Sequence, residues 1–243
     1  MAVSLLDLKQ TNAVVNTPSG LLFDSKWEIT PYTVTSEASG LIVMVGGCSK
    51  PEDSQSPDDF GVVRAYWNSG SPMPLNRDCR ISQDLQPGVE ISSLRLPEPN
   101  TGYVRALAGD NGELFGAMFV LQIRGVDLRE AVMTTGETEA TSLSATSAEL
   151  TPVGSYKSAS RTFGLITIRA PEPAWVSPVS PDTEVLTHAL TGPDSGNYVT
   201  CAVITAPGHI KPIQVSWAIP GSFAFASVTI KGRDIAGQAF VIG

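Results

Sequence analysis

The residues able to do chemistry are few and scattered. The chain has two histidines, His188 and His209. A serine nucleophile needs a histidine base beside it, and no Gly-x-Ser-x-Gly elbow occurs. A zinc site needs more His or Cys at close spacing, and Cys48, Cys79 and Cys201 offer no metal-ligand pattern. Three acid-rich segments, 52–59, 109–113 and 192–197, carry oxygen donors that calcium could use. None fits the twelve-residue calcium loop, and Asp and Asn in such places more often serve the backbone of a turn. No pair of carboxylates stands out for glycoside chemistry. The expectation is a protein that is not an enzyme and holds no cofactor and no metal. Trp67 and Trp175, 108 residues apart, are the remaining candidates. They are either exposed platforms for a glycan or partner, or plugs in a core.

The Trp pair belongs to a wider repetition. Residues 119–127 read FVLQIRGVD and residues 226–234 read ASVTIKGRD. Ile123 matches Ile230, Arg124 matches Lys231, Gly125 matches Gly232 and Asp127 matches Asp234, each 107 residues apart. Both read as a strand with side chains alternating between faces, closed by a glycine and an aspartate that shape the exit. The runs GLIVMV at 40–45 and GLITI at 164–168 recur at an offset of 124, and the excess falls in an insertion at 51–60. The basic and acidic members of the closing motif read as exposed pairs that trim the strand end.

These motifs must sit on strands. Short runs of Val, Ile, Leu, Phe and Thr alternate with Gly, Pro, Asn and Asp turns, and no amphipathic helix of ten residues is visible. Strands are expected at 21–35, 39–46, 61–67, 89–96, 103–108 and 114–125, with a bulge at Ser92 and Ser93. The second half offers 162–169, 184–189, 198–205, 213–219 and 223–231. Residues 68–76 read as a loop, 134–147 as the junction, and 127–132 as at most one helical turn. The predicted fold is all-β: two tandem β-sandwich, jelly-roll-like domains related by the repeat, spanning 20–135 and 136–243, after an N-terminal arm at 1–19. Ile123 and Ile230 should be buried and equivalent.

Composition agrees with a globular chain. Of 243 residues, 42% are hydrophobic and only 16% charged, with a net charge of −8. No basic face for nucleic acid is visible, no run is long enough for a membrane span, and no secretion signal is recognisable. An odd count of three cysteines argues against a disulfide framework; buried thiols are expected, with a Cys48–Cys79 bond left open.

The closing strands, the Gly-Leu-Ile runs and the segment from Pro171 to Trp175 resemble tandem β-sandwich proteins of tailed-phage virions. The resemblance covers roughly residues 29–243 and departs from the pattern at the 51–60 insertion. It implies a structural particle protein, made in the host cytoplasm and located in the virion: a head decoration, a head spike or fibre base, or a tail accessory. Other virion proteins would be its partners, with homo-oligomer formation and a host surface glycan as further expectations. The N-terminal segment, with Leu5, Leu6 and Leu8, is the expected assembly arm, against the alternative of an ordinary edge strand. The competing readings are a carbohydrate-binding or adhesive module and an enzyme with a deep carboxylate-lined cleft.

Overall fold

The structure, a computed structural model, describes residues 2–15, 26–49, 62–81, 87–108, 114–128, 132–152, 159–194, 196–210 and 212–233. Among these residues every regular element is a strand. Among the described residues no helix is long and apolar enough to cross a membrane.

The first half contributes nine strands: β1 (Ser4–Val15), β2 (Lys26–Thr33), β3 (Gly40–Ser49), β4 (Val62–Asn68), β5 (Pro72–Pro74), β6 (Asn76–Ile81), β7 (Gly88–Arg95), β8 (Thr101–Ala108) and β9 (Leu114–Arg124). The second contributes β10 (Val132–Leu150), β11 (Arg161–Ala170), β12 (Ser177–Pro178), β13 (Glu184–Asp194), β14 (Asn197–Pro207) and β15 (Ile213–Ile230). Sheet I has the order β1-β9-β3-β7-β6, sheet II the order β10-β15-β11-β14-β13 with β12 on β15, and sheet III the order β2-β8-β4-β5. All pairings are antiparallel, and in the first half they nest: β1 with β9, β2 with β8, β3 with β7, β4 with β5.

The repeat is visible in this order. Replacing β1, β3, β6, β7 and β9 by β10, β11, β13, β14 and β15 turns the order of sheet I into that of sheet II. The sheets also pack face to face under the same exchange. β1 touches β13 as β6 touches β10, β7 touches β15 as β9 touches β14, and β3 touches β11. The closing motifs meet at the centre of this relation. Val126 bridges Gly232, the Asp127 amide donates to the Lys231 carbonyl at 2.9 Å, and the Arg233 amide donates to the Gly125 carbonyl at 2.9 Å.

Three cores result. The largest lies between sheets I and II and takes Ile42, Phe119 and Ile123 from one half, and Leu165, Val203 and Ile230 from the other. Ile123 and Ile230 are each only 1% exposed. The second core lies between sheets I and III, around Leu41, Val43, Trp27 and Trp67. The third covers the outer face of sheet II, where Leu150, Val215 and Trp217 from the ends of β10 and β15 fold over Ile166 and Ile204. The fold-over coincides with register shifts between Ala140 and Ser147. Gly221 passes the end of β11 there, where an added Cβ would lie 2.6 Å from the Arg169 carbonyl oxygen.

Several local expectations are corrected. The junction expected at 134–147 lies within the 19-residue strand β10. Residues 68–76 are not simply loop, because β5 falls inside them and β6 begins at Asn76. The strands expected at 213–219 and 223–231 are one strand, β15. The bulge expected at Ser92 and Ser93 is absent from β7, which pairs with β3 in unbroken register; the bulge lies opposite, between Arg77 and Cys79 of β6. The hydrophobic pattern of β7 changes phase because Val89 and Ile91 face one core and Leu94 the other. The 1–19 arm is also corrected. β1 pairs along β9 from Ser4 to Val15, so this part of the segment is an edge strand of sheet I. Residues 16–19 lie outside the described residues, as do 51–60.

Candidate functional site: the outer face of sheet III

Each strand of sheet III turns alternate side chains inward and outward. Trp27, Ala65, Trp67, Val104 and Ala106 point into the second core. Their neighbours Glu28, Tyr66, Asn68, Tyr103 and Arg105 therefore point away from it. The ladder lines up Glu28 with Arg105, Arg105 with Tyr66, and Tyr103 with Asn68 across β2, β8 and β4.

Arg105 is the hub. Its Nε donates to Glu28 Oε2, its Nη2 forms an ion pair with the same carboxylate, and its Nη1 donates to the Tyr66 hydroxyl at 2.9 Å. Its guanidinium carbon lies 4.6 Å from the centre of the Tyr103 ring and 5.8 Å from that of Tyr66, within the range of cation–π attraction. The two rings meet edge to face, 6.1 Å apart at 72°. Asn68 Nδ2 donates to the Tyr103 hydroxyl at 2.8 Å, and Asn68 Oδ1 accepts from the Gly70 amide at 2.8 Å. Burial works against the Arg105 charge, but the bonds to Glu28 and Tyr66 outweigh it and hold the guanidinium above its ordinary pKa. Farther along the face, the Thr33 and Thr101 hydroxyls share a hydrogen bond of 2.9 Å. The arrangement is a fixed surface of ring edges, hydroxyls and N–H groups.

The sequence-predicted residues are not brought together. Trp67 is fully buried and stands edge to face with Tyr32 at 6.1 Å. Its expectation as a glycan or partner contact is overturned, because its strand turns it into the second core. Trp175 precedes β12 and is 54% exposed. It stands edge to face with His188 at 5.4 Å. His188 Nε2 lies 3.1 Å from the Val176 carbonyl oxygen and 3.2 Å from the Val176 amide nitrogen; burial lowers the pKa of the ring, and a bond from Nε2 to the carbonyl opposes it. His209 is exposed on a turn. Leu5, Leu6 and Leu8 are half-buried: Leu5 and Leu8 pack on the core between sheets I and II, and Leu6 on the core beneath sheet III. They serve this chain's own cores here, which removes the reason for treating them as an extended assembly arm.

The closing motif does more than trim a strand end, because Lys231 reaches Asp127 across the two halves at 3.6 Å. Arg124 reaches Glu37 at 2.8 Å. Asp234 lies outside the described residues. Cys48, Cys79 and Cys201 are all buried, and Cys48 and Cys79 are not bonded to each other. Burial pushes the Cys201 thiol up to about 12 despite a contact with Thr167. The acid-rich segments 52–59 and 109–113, and residue 195 of the third, lie outside the described residues. Among the described residues no three His, Cys, Asp or Glu side chains gather as metal ligands. A crevice at one end of the central core, lined by Cys48, Phe115, Arg169 and Thr191, has a volume of about 10 Å³. That is room for about one water, not for a substrate.

Sequence reasoning missed Tyr66, Tyr103 and Arg105. The signal was present in the alternation Tyr103-Val104-Arg105-Ala106 and Ala65-Tyr66-Trp67-Asn68.

No protein family matches the chain, and no curated protein matches it. Among solved structures, a chain of "Red Clover Necrotic Mosaic Virus" aligns over 95% of this chain and 98% of its own length, at 9% identity and a TM-score of 0.23. At that score the likeness does not reach a shared fold.

Proposed function

We propose that this chain is a non-enzymatic structural protein of a viral particle, of the kind a tailed phage carries on its head or tail, and that each half is a jelly roll. The observation that carries the reading is the nesting of first strand with last. In the first half β1 pairs β9, β2 pairs β8, β3 pairs β7 and β4 pairs β5, while the chain passes back and forth between sheets I and III. In the second half β10 pairs β15 and β11 pairs β14. Two sheets sharing nested antiparallel strands are the arrangement of jelly rolls, which recur in viral capsid and lectin domains. Two rolls packed through a shared core leave their outer layers for assembly with other virion proteins or further copies of the chain.

The test is to raise antibodies to the purified protein and image labelled native particles. Gold at regular positions on the head or tail supports the reading. A chain abundant in infected cells but absent from purified particles sinks it.

A second reading, a carbohydrate-binding module, is favoured by the Tyr66–Tyr103–Arg105 cluster.

A further inference from the structure

We propose that the outer face of sheet III is a binding platform for a neutral glycan, centred on Tyr66, Tyr103 and Arg105. This goes beyond the particle role and does not depend on it.

Three observations carry it. The first is orientation: these side chains stand on the face opposite the second core, which is already filled from the inner side by Trp27 and Trp67. The Glu28 and Arg105 side chains there keep 22% and 23% of their surface open, so the interlocked cluster is part-buried yet still reachable from outside. The second is unused capacity. The Tyr66 hydroxyl accepts from Arg105 and the Tyr103 hydroxyl accepts from Asn68. Each phenol O–H thus keeps its own proton to donate. Among the described residues Arg105 commits Nε, one Nη1 proton and one Nη2 proton, which leaves two of its five N–H groups for a ligand. These donors are held in place before any ligand arrives, so little side-chain freedom remains to be lost on binding.

The third observation is charge. Glu28 balances Arg105 within the cluster, and the chain as a whole carries a net charge of −8. A polyanion such as nucleic acid or a sulfated glycan meets an unfavourable field. A neutral sugar fits instead. Its hydroxyl and ring oxygens accept from phenol and guanidinium groups, and its C–H groups make van der Waals contact with the ring edges. The second half has no such face in the corresponding place, since the strand corresponding to β4 there, β12, is two residues long.

The full-length protein should be applied to an array of neutral hexose and N-acetylhexosamine oligosaccharides, with heparin and sialylated glycans as anionic controls. Retention of a neutral oligosaccharide is expected. Tyr103→Ala should weaken it at least about tenfold, as removal of an aromatic anchor does. Tyr66→Phe and Tyr103→Phe, which keep the ring, should weaken it less, and Trp175→Ala should leave it unchanged. Thermal melts of each variant separate lost binding from lost folding. Binding to heparin alone, no binding to any neutral sugar, or equal binding by folded wild type and folded Tyr103→Ala overturns the proposal. So does a result in which these variants change only self-association by light scattering, since the face is then a contact between copies. Particle labelling is read separately, so either proposal can fail without the other.

Discussion

The two glycines that align in the repeat are needed for different physical reasons. Gly125 has a φ of 80°, in the left-handed region where a side chain is strained. Gly232 has no such φ, but an added Cβ would lie 2.1 Å from the Ala159 carbonyl oxygen. Gly125→Ala should therefore cost ~1–2 kcal/mol, and Gly125→Asn should recover part of it because Asn tolerates that conformation. Gly232→Ala should cost ~1–3 kcal/mol as an overpacking change, and Gly232→Asn should be worse than Ala. Urea melts of the four variants test this; identical Ala and Asn orders at both sites would refute it. Asp78 gives a second prediction at this scale. Burial raises its pKa from 3.8 to about 6, against a bond from Ser93 and the charge of Arg95. A carboxyl whose pKa is higher folded than unfolded binds more protons in the folded state between those values. Its contribution to stability is thus present below about pH 4 and lost as the pH rises through about 6. Asp78→Asn should remove that part of the pH dependence, so the difference in stability between variant and wild type should grow from pH 4 to pH 6 and then level off. A constant difference across that window would rule out the buried carboxyl as its source.

At the scale of the element, parity decides. The Gly-Leu-Ile runs of β3 and β11 both belong to central strands, but they do not occupy the same rungs. Gly40 pairs with Ile123, whereas Ile230, the counterpart of Ile123, pairs with Arg161 and not with Gly164. The sequence match is therefore slipped by three residues. An odd slip moves side chains to the other face of a sheet. Leu41 accordingly faces sheet III, while Leu165 faces sheet I. The edge strand β1 is also an element-scale matter. Its half-buried leucines touch two cores, and its backbone closes the edge of β9. Deleting residues 2–15 should lower the urea midpoint markedly and expose the long β9 edge to aggregation. A truncated chain that melts like the full one would restore the free-arm reading.

At the scale of the molecule, the halves share their largest core. Sheets I and II face each other through a relation that exchanges the halves, much as an isologous interface relates two subunits. Gly46 brings them close: an added Cβ would lie 2.2 Å from Thr167 Oγ1. The consequence is coupling. Ile123→Ala and Ile230→Ala should each cost ~2–5 kcal/mol, the usual loss for truncating a buried aliphatic side chain. Each should also loosen both halves. Amide exchange in Ile230→Ala should accelerate in β3 and β9 as well as in β11 and β14. Faster exchange confined to the second half would mean that the two halves unfold independently.

The sequence by itself determined the all-β class, the existence of the repeat, and the burial of Ile123 and Ile230, because a period of two and a closing turn are local properties of the chain. Trp67 and Trp175 show where that reasoning ends. They recur at nearly the repeat spacing, yet one is fully buried and the other is 54% exposed. β4 is seven residues long and turns Trp67 under sheet III, while the corresponding β12 has two residues and leaves Trp175 outside. Strand length and partner coverage, not residue type, set those environments. The same holds for sheet I, whose two buried faces gave β7 a pattern that reads as a bulge. It holds for the Arg105 cluster too, since Glu28, Tyr66 and Tyr103 are far apart in the chain and only antiparallel pairing places them side by side. The tertiary structure alone decided which strands face which, because that depends on surfaces meeting across more than a hundred residues of chain.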